Sequence, residues 1–312
     1  MKMKNKRPDQ FDMLDNITEL EMLLLRKKKI LILEGSSDRS FFKFLLAKSG
    51  EDIQTFCMGE KGSKSCKTDL IDLFEQYTDI QDNNLVLGVF DKDLEEKFEF
   101  GFQNLLYTEF HDLDCYHMYF SSFERFVVEF LDEPEIAKKM GFSPSKDIEK
   151  TRNFIERALA PLSILRLINK DEKLRIPLNK ILPKSPAPIR KSRYEKFGEF
   201  INHDLFIDDE KLIHYIVSHS LGKNLDAKKI RTAYLNSSYP NIKFFSNGHD
   251  LISLLTHLVN VGRKWKGDKD DLEIEESLRL STDLASFQEY TFTEKIMRWV
   301  LGEVYTEEYK CS

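Results

Sequence analysis

Acidic residues recur in this chain where apolar runs end. Ile30–Leu33 is continuously apolar and stops at Glu34, with Asp38 four residues on. The apolar stretch 84–90 runs into Asp91-Lys92-Asp93. Asp112 and Asp114 stand at the head of a fourth candidate strand, 113–119. In extended chain, residues two apart point to one side, so Asp91 and Asp93 would present oxygens to one point while Lys92 faces away. Carboxylates crowded in this way repel one another and raise their own pKa values. A hard divalent cation relieves that repulsion, and magnesium prefers oxygen ligands. The cation can ionise a water and stabilise charge building on a phosphoryl group. A single Asp at a strand end serves equally as a turn residue or helix cap. A lone DxD is also weak in a chain where 53 of 312 residues are acidic. The combination is more specific: strand–Glu–Gly–x–x–Asp–helix, then roughly fifty residues, then strand–Asp–x–Asp.

LILEGSSD followed by VLGVFDKD resembles the Toprim domain of topoisomerases, primases, recombination proteins and OLD-family nucleases. The resemblance implies that Glu34 is the catalytic acid/base or metal-linked residue and that Asp91 and Asp93 bind metal. Asp38 matches the second acid of the OLD-like nucleases, which helps hold a second ion. The stretch TEFHDLDCY (108–116) is similar to the segment after DxD in a small Toprim family of bacterial anti-phage loci. That family has Asp-x-Glu there; this chain has the shorter Asp112-x-Asp114, which also become expected metal residues. SNGHDLISLL (246–255) is similar to a late motif of the same family, with Gly248, His249 and Asp250 matching. His249 would stabilise the reacting phosphate, or would be a helix-start histidine with a structural hydrogen bond. The resemblance extends to the Toprim effectors of PARIS-type defence systems. It implies a Mg²⁺- or Mn²⁺-dependent endonuclease with one or two ions, acting on RNA, tRNA first, with a DNA nuclease of the OLD type as the alternative. It also implies an ABC-type ATPase partner that holds the nuclease inactive, and a homodimer as the active form.

Basic residues supply the candidate nucleic-acid contacts. Lys61, Lys64 and Lys67 lie in a Gly/Ser/Lys loop, Gly59–Lys67, expected to face the same strand ends as Glu34. Residues 170–197 hold nine Lys and Arg against three acids, among them Arg190, Lys191 and Arg193. Such a stretch could track a phosphate backbone, or be a solvated, proline-rich linker. Arg263, Lys264, Lys266 and Lys269 surround Trp265, but Asp268, Asp270 and Asp271 offset much of their charge. Gly59–Lys67 lacks the GxxxxGK[ST] pattern of a nucleotide-binding loop, so any ATP dependence belongs to a partner.

The elements needed to position these groups follow from periodicity. Candidate strands at 30–33, 53–58 and 84–90 alternate with helical stretches at 39–48 and 68–78, after a short amphipathic helix at 12–27. With 113–119 as a fourth strand, the order predicts a small parallel Toprim sheet covered by helices. After residue 120 the pattern turns helical: 121–131, 148–169, 194–202, 209–220, 226–236, 249–262 and 284–301. The expected division is an N-terminal helix (1–27), a catalytic α/β domain (28–120) and an α-helical domain (121–312) shaping a substrate groove, dimer or partner surface.

Net charge is −6, against non-specific coating of nucleic acid. The charge is uneven: residues 1–150 hold 21 Lys and Arg against 30 Asp and Glu, whereas 151–312 hold 26 against 23. Cys57, Cys66, Cys115 and Cys311 form no CxxC pair, so neither a zinc site nor a redox pair is indicated. No apolar run approaches the ~20 residues of a membrane span, and the N-terminus has no signal-peptide core; a cytoplasmic protein is expected. Primase or topoisomerase chemistry, a catalytically inactive Toprim binding subunit and a receiver-like domain are the alternatives.

Overall fold

The structure is a computed structural model. It describes residues 8–48, 50, 52–58, 66–95, 98, 101–182, 193–219, 225–238, 246–263 and 268–302. In chain order the elements begin α1 (Pro8–Leu25), β1 (Lys29–Leu33), α2 (Ser36–Lys48), β2 (Ile53–Cys57), α3 (Cys66–Gln76), β3 (Val86–Phe90) and β4 (Leu105–Tyr107). The helices α4 (Tyr116–Tyr119), α5 (Phe123–Phe126), α6 (Pro134–Met140), α7 (Ile148–Asp171) and α8 (Leu178–Ile181) follow. The last are α9 (Arg193–Phe200), α10 (Asp209–Ser218), α11 (Ala227–Asn236), α12 (Gly248–Gly262), α13 (Asp271–Ser281) and α14 (Thr291–Val300). Among the described residues no helix is long and apolar enough to cross a membrane.

The chain divides into two compact units. One comprises residues 1–109 and 287–312, the other 110–286. The expected boundary near 120 therefore falls at 109, and α14 belongs with the sheet instead of the helical unit. The helix α1 is part of the sheet unit: Leu20 is buried in its core, with Ile17, Leu23 and Leu24 packed alongside.

The α/β fold class is as expected. Four parallel strands stand in the order β2-β1-β3-β4. Ile30–Leu33 and all of β3 are buried, as continuously apolar strands covered on both faces must be. The edge strand β2 is half-buried at Ile53, Gln54 and Thr55. Gly88 in β3 is dictated by contact. A Cβ there would stand 2.7 Å from both Leu105 Cδ1 and the Phe74 ring, so only glycine lets α3 lie so close to the sheet. From β1 the chain goes out to β2, then crosses back to β3 on the other side of β1. The order in which strands are added reverses between β1 and β3, the place where open α/β sheets bind ligands at their carboxyl ends.

The fourth strand is not where it was expected. Residues 113–115 form a 3₁₀ turn and 116–119 the helix α4, with Tyr116–Tyr119 all buried. Burial on every side removes the period that separates strand from helix. The three-residue β4 lies earlier. In the second unit α12 is the central helix, buried from Asp250 to Thr256 and packed against α6, α7, α9 and α13. The helices α6 and α13 were not expected from the sequence.

Candidate active site

In the sheet unit, parallel register pairs Leu33 with Val89 and Phe90 with Tyr107. Glu34 and Asp91 thus leave adjacent strands at the switch point. The Asp91 backbone N–H donates to Glu34 Oε2 at 3.3 Å. Both residues are half-buried. Burial raises the Glu34 pKa from its ordinary 4.5 to about 7, and the Asp93 charge adds to that rise; the Asp91 N–H and the Lys67 ammonium oppose it. A carboxyl with that pKa can take or give a proton near neutral pH.

Asp93 reaches the site differently from the extended-chain expectation. The strand ends at Phe90, and Asp93 adopts φ +55°, a left-handed conformation that Asp tolerates better than most side chains. The turn is fixed by the buried Thr108, whose hydroxyl accepts from the Lys92 N–H at 2.8 Å. The Asp93 carboxylate forms an ion pair with Lys67, in the first turn of α3. Lys67 lies over the Phe90 and Phe98 rings, at 5.9 and 5.5 Å from their centroids. Asp38 is used locally: it accepts from the Gly35 N–H at 2.8 Å, reaching back over the start of α2.

Glu109 is an acidic group that the sequence reading missed. It follows β4 by two residues, is partly buried, and accepts from the Phe292 N–H at 3.4 Å. Burial raises its pKa, against the charges of Lys295 and Lys92. Once β4 is placed at 105–107, Glu109 repeats the pattern of an acid just beyond a strand.

Carboxylate oxygens are the donors a hard divalent cation prefers, and Glu34, Asp91 and Asp93 belong to that chemistry. The burial-raised Glu34 pKa marks a place where added positive charge would be favourable. Among the described residues, no three His, Cys, Asp or Glu side chains converge closely enough to ligate an ion. At Asp93 the positive charge is supplied by Lys67.

Asp112, Asp114 and His249 come together within the second unit. Asp112 is buried and saturated. It accepts from the Gly248 N–H at 2.8 Å, Asn247 Nδ2 at 3.3 Å and the Cys115 N–H at 3.3 Å, and lies 3.1 Å from His111 Nδ1. Burial pulls its pKa upward, but the His111 hydrogen bond and charge, the His249 charge and the Gly248 N–H hold it well below the usual carboxylate range. The Asp112 carboxylate therefore clamps the start of α12 and does not present its oxygens as the expected metal ligand. A Cβ on Gly248 would meet Asp112 Oδ1 at 2.2 Å and Asp114 Cβ at 2.5 Å, which requires glycine in the Gly-His-Asp motif. His249 Nδ1 stands 3.6 Å from Asp114 Oδ2, an ion-pair approach too long for a hydrogen bond, and both side chains are partly exposed. Asp250 points inward and receives Arg166 at 2.6 and 3.0 Å, a buried two-point pair joining α7 to α12.

Lys61, Lys64, Arg190 and Lys191 lie outside the described residues, as do Lys264, Trp265 and Lys266. Arg193 opens α9. Lys269 pairs with Glu273 at 3.2 Å, a helix-surface contact. No protein-family model matches this chain, and no curated protein matches it by sequence.

Proposed function

We propose that the chain is a divalent-metal-dependent endonuclease that hydrolyses phosphodiester bonds, with RNA ahead of DNA as substrate. The observation that carries this reading is the meeting of Glu34 and Asp91 at the switch point of a parallel sheet, with Asp93 acting on Glu34 electrostatically. Glu34, Asp91 and Asp93 would hold the cation. Once bound, a divalent cation lowers the pKa of water and offsets charge on the phosphoryl oxygens. The half-buried Glu34 carboxylate would orient the attacking water or take up its proton. The Asp91 N–H fixes the Glu34 carboxylate, and Thr108 fixes the turn that delivers Asp93. His249, partly exposed and near Asp114, would contact the reacting phosphate.

The resemblance to anti-phage Toprim effectors extends the proposal. On that basis the substrate is tRNA, the active form a homodimer, and an ABC-type ATPase partner holds the nuclease in check. A binding or regulatory subunit without catalysis is the second reading. It is favoured by the Lys67–Asp93 pair, which already supplies a positive charge to Asp93.

The test is incubation of the purified chain with total tRNA and with supercoiled plasmid, in Mg²⁺, in Mn²⁺ and in excess EDTA. Metal-dependent cutting of tRNA is expected, with none in EDTA. Cutting that persists in EDTA contradicts the metal-dependent reading. Intact substrates in every condition, from a chain that also binds no divalent ion, favour the binding subunit.

A further inference from the structure

We infer that Lys67 is a built-in counter-cation of the site: its ammonium holds Asp93 and competes with a divalent ion for that carboxylate. The inference rests on the reading of Glu34, Asp91 and Asp93 as cation-holding residues.

Three observations converge on it. Lys67 pairs directly with Asp93, and its side chain is only 17% exposed against 49% for Asp93. The Lys67 side chain is thus largely covered, while Asp93 stays half open to solvent. The Phe90 and Phe98 rings, themselves 5.1 Å apart in edge-to-face contact, both lie within 6 Å of it. Aromatic faces attract a cation, so the rings guide the ammonium toward Asp93. Finally, Lys67 is the second residue of α3, where the positive end of the helix disfavours a cation. The helix gains nothing from lysine there, whereas Asp93 does.

The ammonium and a divalent ion are alternatives at Asp93. Each positive charge at Asp93 disfavours the other, so an ion taking that carboxylate loosens its hold on Lys67 and leaves the ammonium available to an anionic substrate. The site is consequently weakened for cations until substrate phosphate supplies Lys67 with a new partner. This couples ion uptake to nucleic-acid binding without any further element.

The experiment measures Mn²⁺ binding calorimetrically to the full chain without nucleic acid, comparing wild type, Lys67→Met and Lys67→Arg. Removing a charge-assisted competitor should tighten Mn²⁺ binding about tenfold in Lys67→Met, while Lys67→Arg stays near wild type. Equal affinity in wild type and Lys67→Met overturns the competition and leaves the metal-site reading intact. No binding by either protein removes both. In parallel, and independent of any variant's folding, amine acylation of wild type is read by mass spectrometry. Labelling of Lys67 should rise when Mn²⁺ saturates the site, and unchanged labelling in an ion-bound protein counts against the inference.

Discussion

Glu34 couples the stability of the fold to pH. Its pKa is raised to about 7 in the folded chain, chiefly by burial, against 4.5 when exposed. Between those values the folded chain keeps a proton that the unfolded chain has released. Stability therefore falls as pH rises through that window and levels off above it, by at most about 3 kcal/mol. Glu34→Gln removes the charge and keeps the shape. It should melt higher than wild type at pH 8 and at the same temperature at pH 4.5; equal melting at both pH values would show that Glu34 is not held in this way. The residue types of the site were legible in the sequence because Glu34 and Asp91 each end an apolar run. Asp112 misled for a physical reason. Whether a carboxylate faces a ligand or a backbone N–H depends on what folds over it, and Gly248 lies 136 residues away.

At the scale of elements, the buried Arg166–Asp250 pair ties α7 to α12. Asp250→Ala leaves a guanidinium buried without its partner and should cost about 3–5 kcal/mol, read from denaturant unfolding. Arg166→Met combined with Asp250→Leu should recover much of that loss, since the uncompensated charge is gone. A double variant no more stable than Asp250→Ala would deny the pair this role. The strands β1 and β3 were readable because their apolar runs are too short for a helix and end at turn residues, and β2 because it stands between two helical stretches at strand length. The strand β4 was not readable, since Leu105–Tyr107 is only three residues long and is set by pairing with β3. The helices α6 and α13 carry little pattern of their own: Leu272 and Leu280 in α13 are exposed, and only Ile274 and Leu278 are buried.

Over the whole chain, the unit formed by residues 1–109 and 287–312 carries 19 Lys and Arg against 26 Asp and Glu, and the other unit 28 against 27. The acidic excess therefore lies with Glu34, Asp91 and Asp93. The return of α14 to that unit could not be read from sequence, because periodicity does not say which surface a helix covers. Its role is visible in contacts. Trp299 Nε1 donates to the Asn84 carbonyl at 2.8 Å, Lys29 donates to the Trp299 carbonyl at 3.0 Å, and Ile296, Trp299 and Val300 are buried. Ending the chain after Ser286 should lower the melting temperature markedly and expose Leu and Phe surface to a hydrophobic dye. A truncated chain that melts as the full one does would show α14 to be dispensable.

The central claim is that Glu34 and Asp91 form the catalytic centre. Its most direct test compares wild type, Glu34→Gln and Asp91→Asn in Mg²⁺-dependent cleavage of total tRNA, with thermal melting of each protein alongside. Both substitutions preserve side-chain volume. The account predicts folded variants whose cleavage rate falls at least about a hundredfold, the scale of a lost general base or metal carboxylate. Folded variants that cut at the wild-type rate would contradict it and move the catalytic centre away from the ends of β1 and β3.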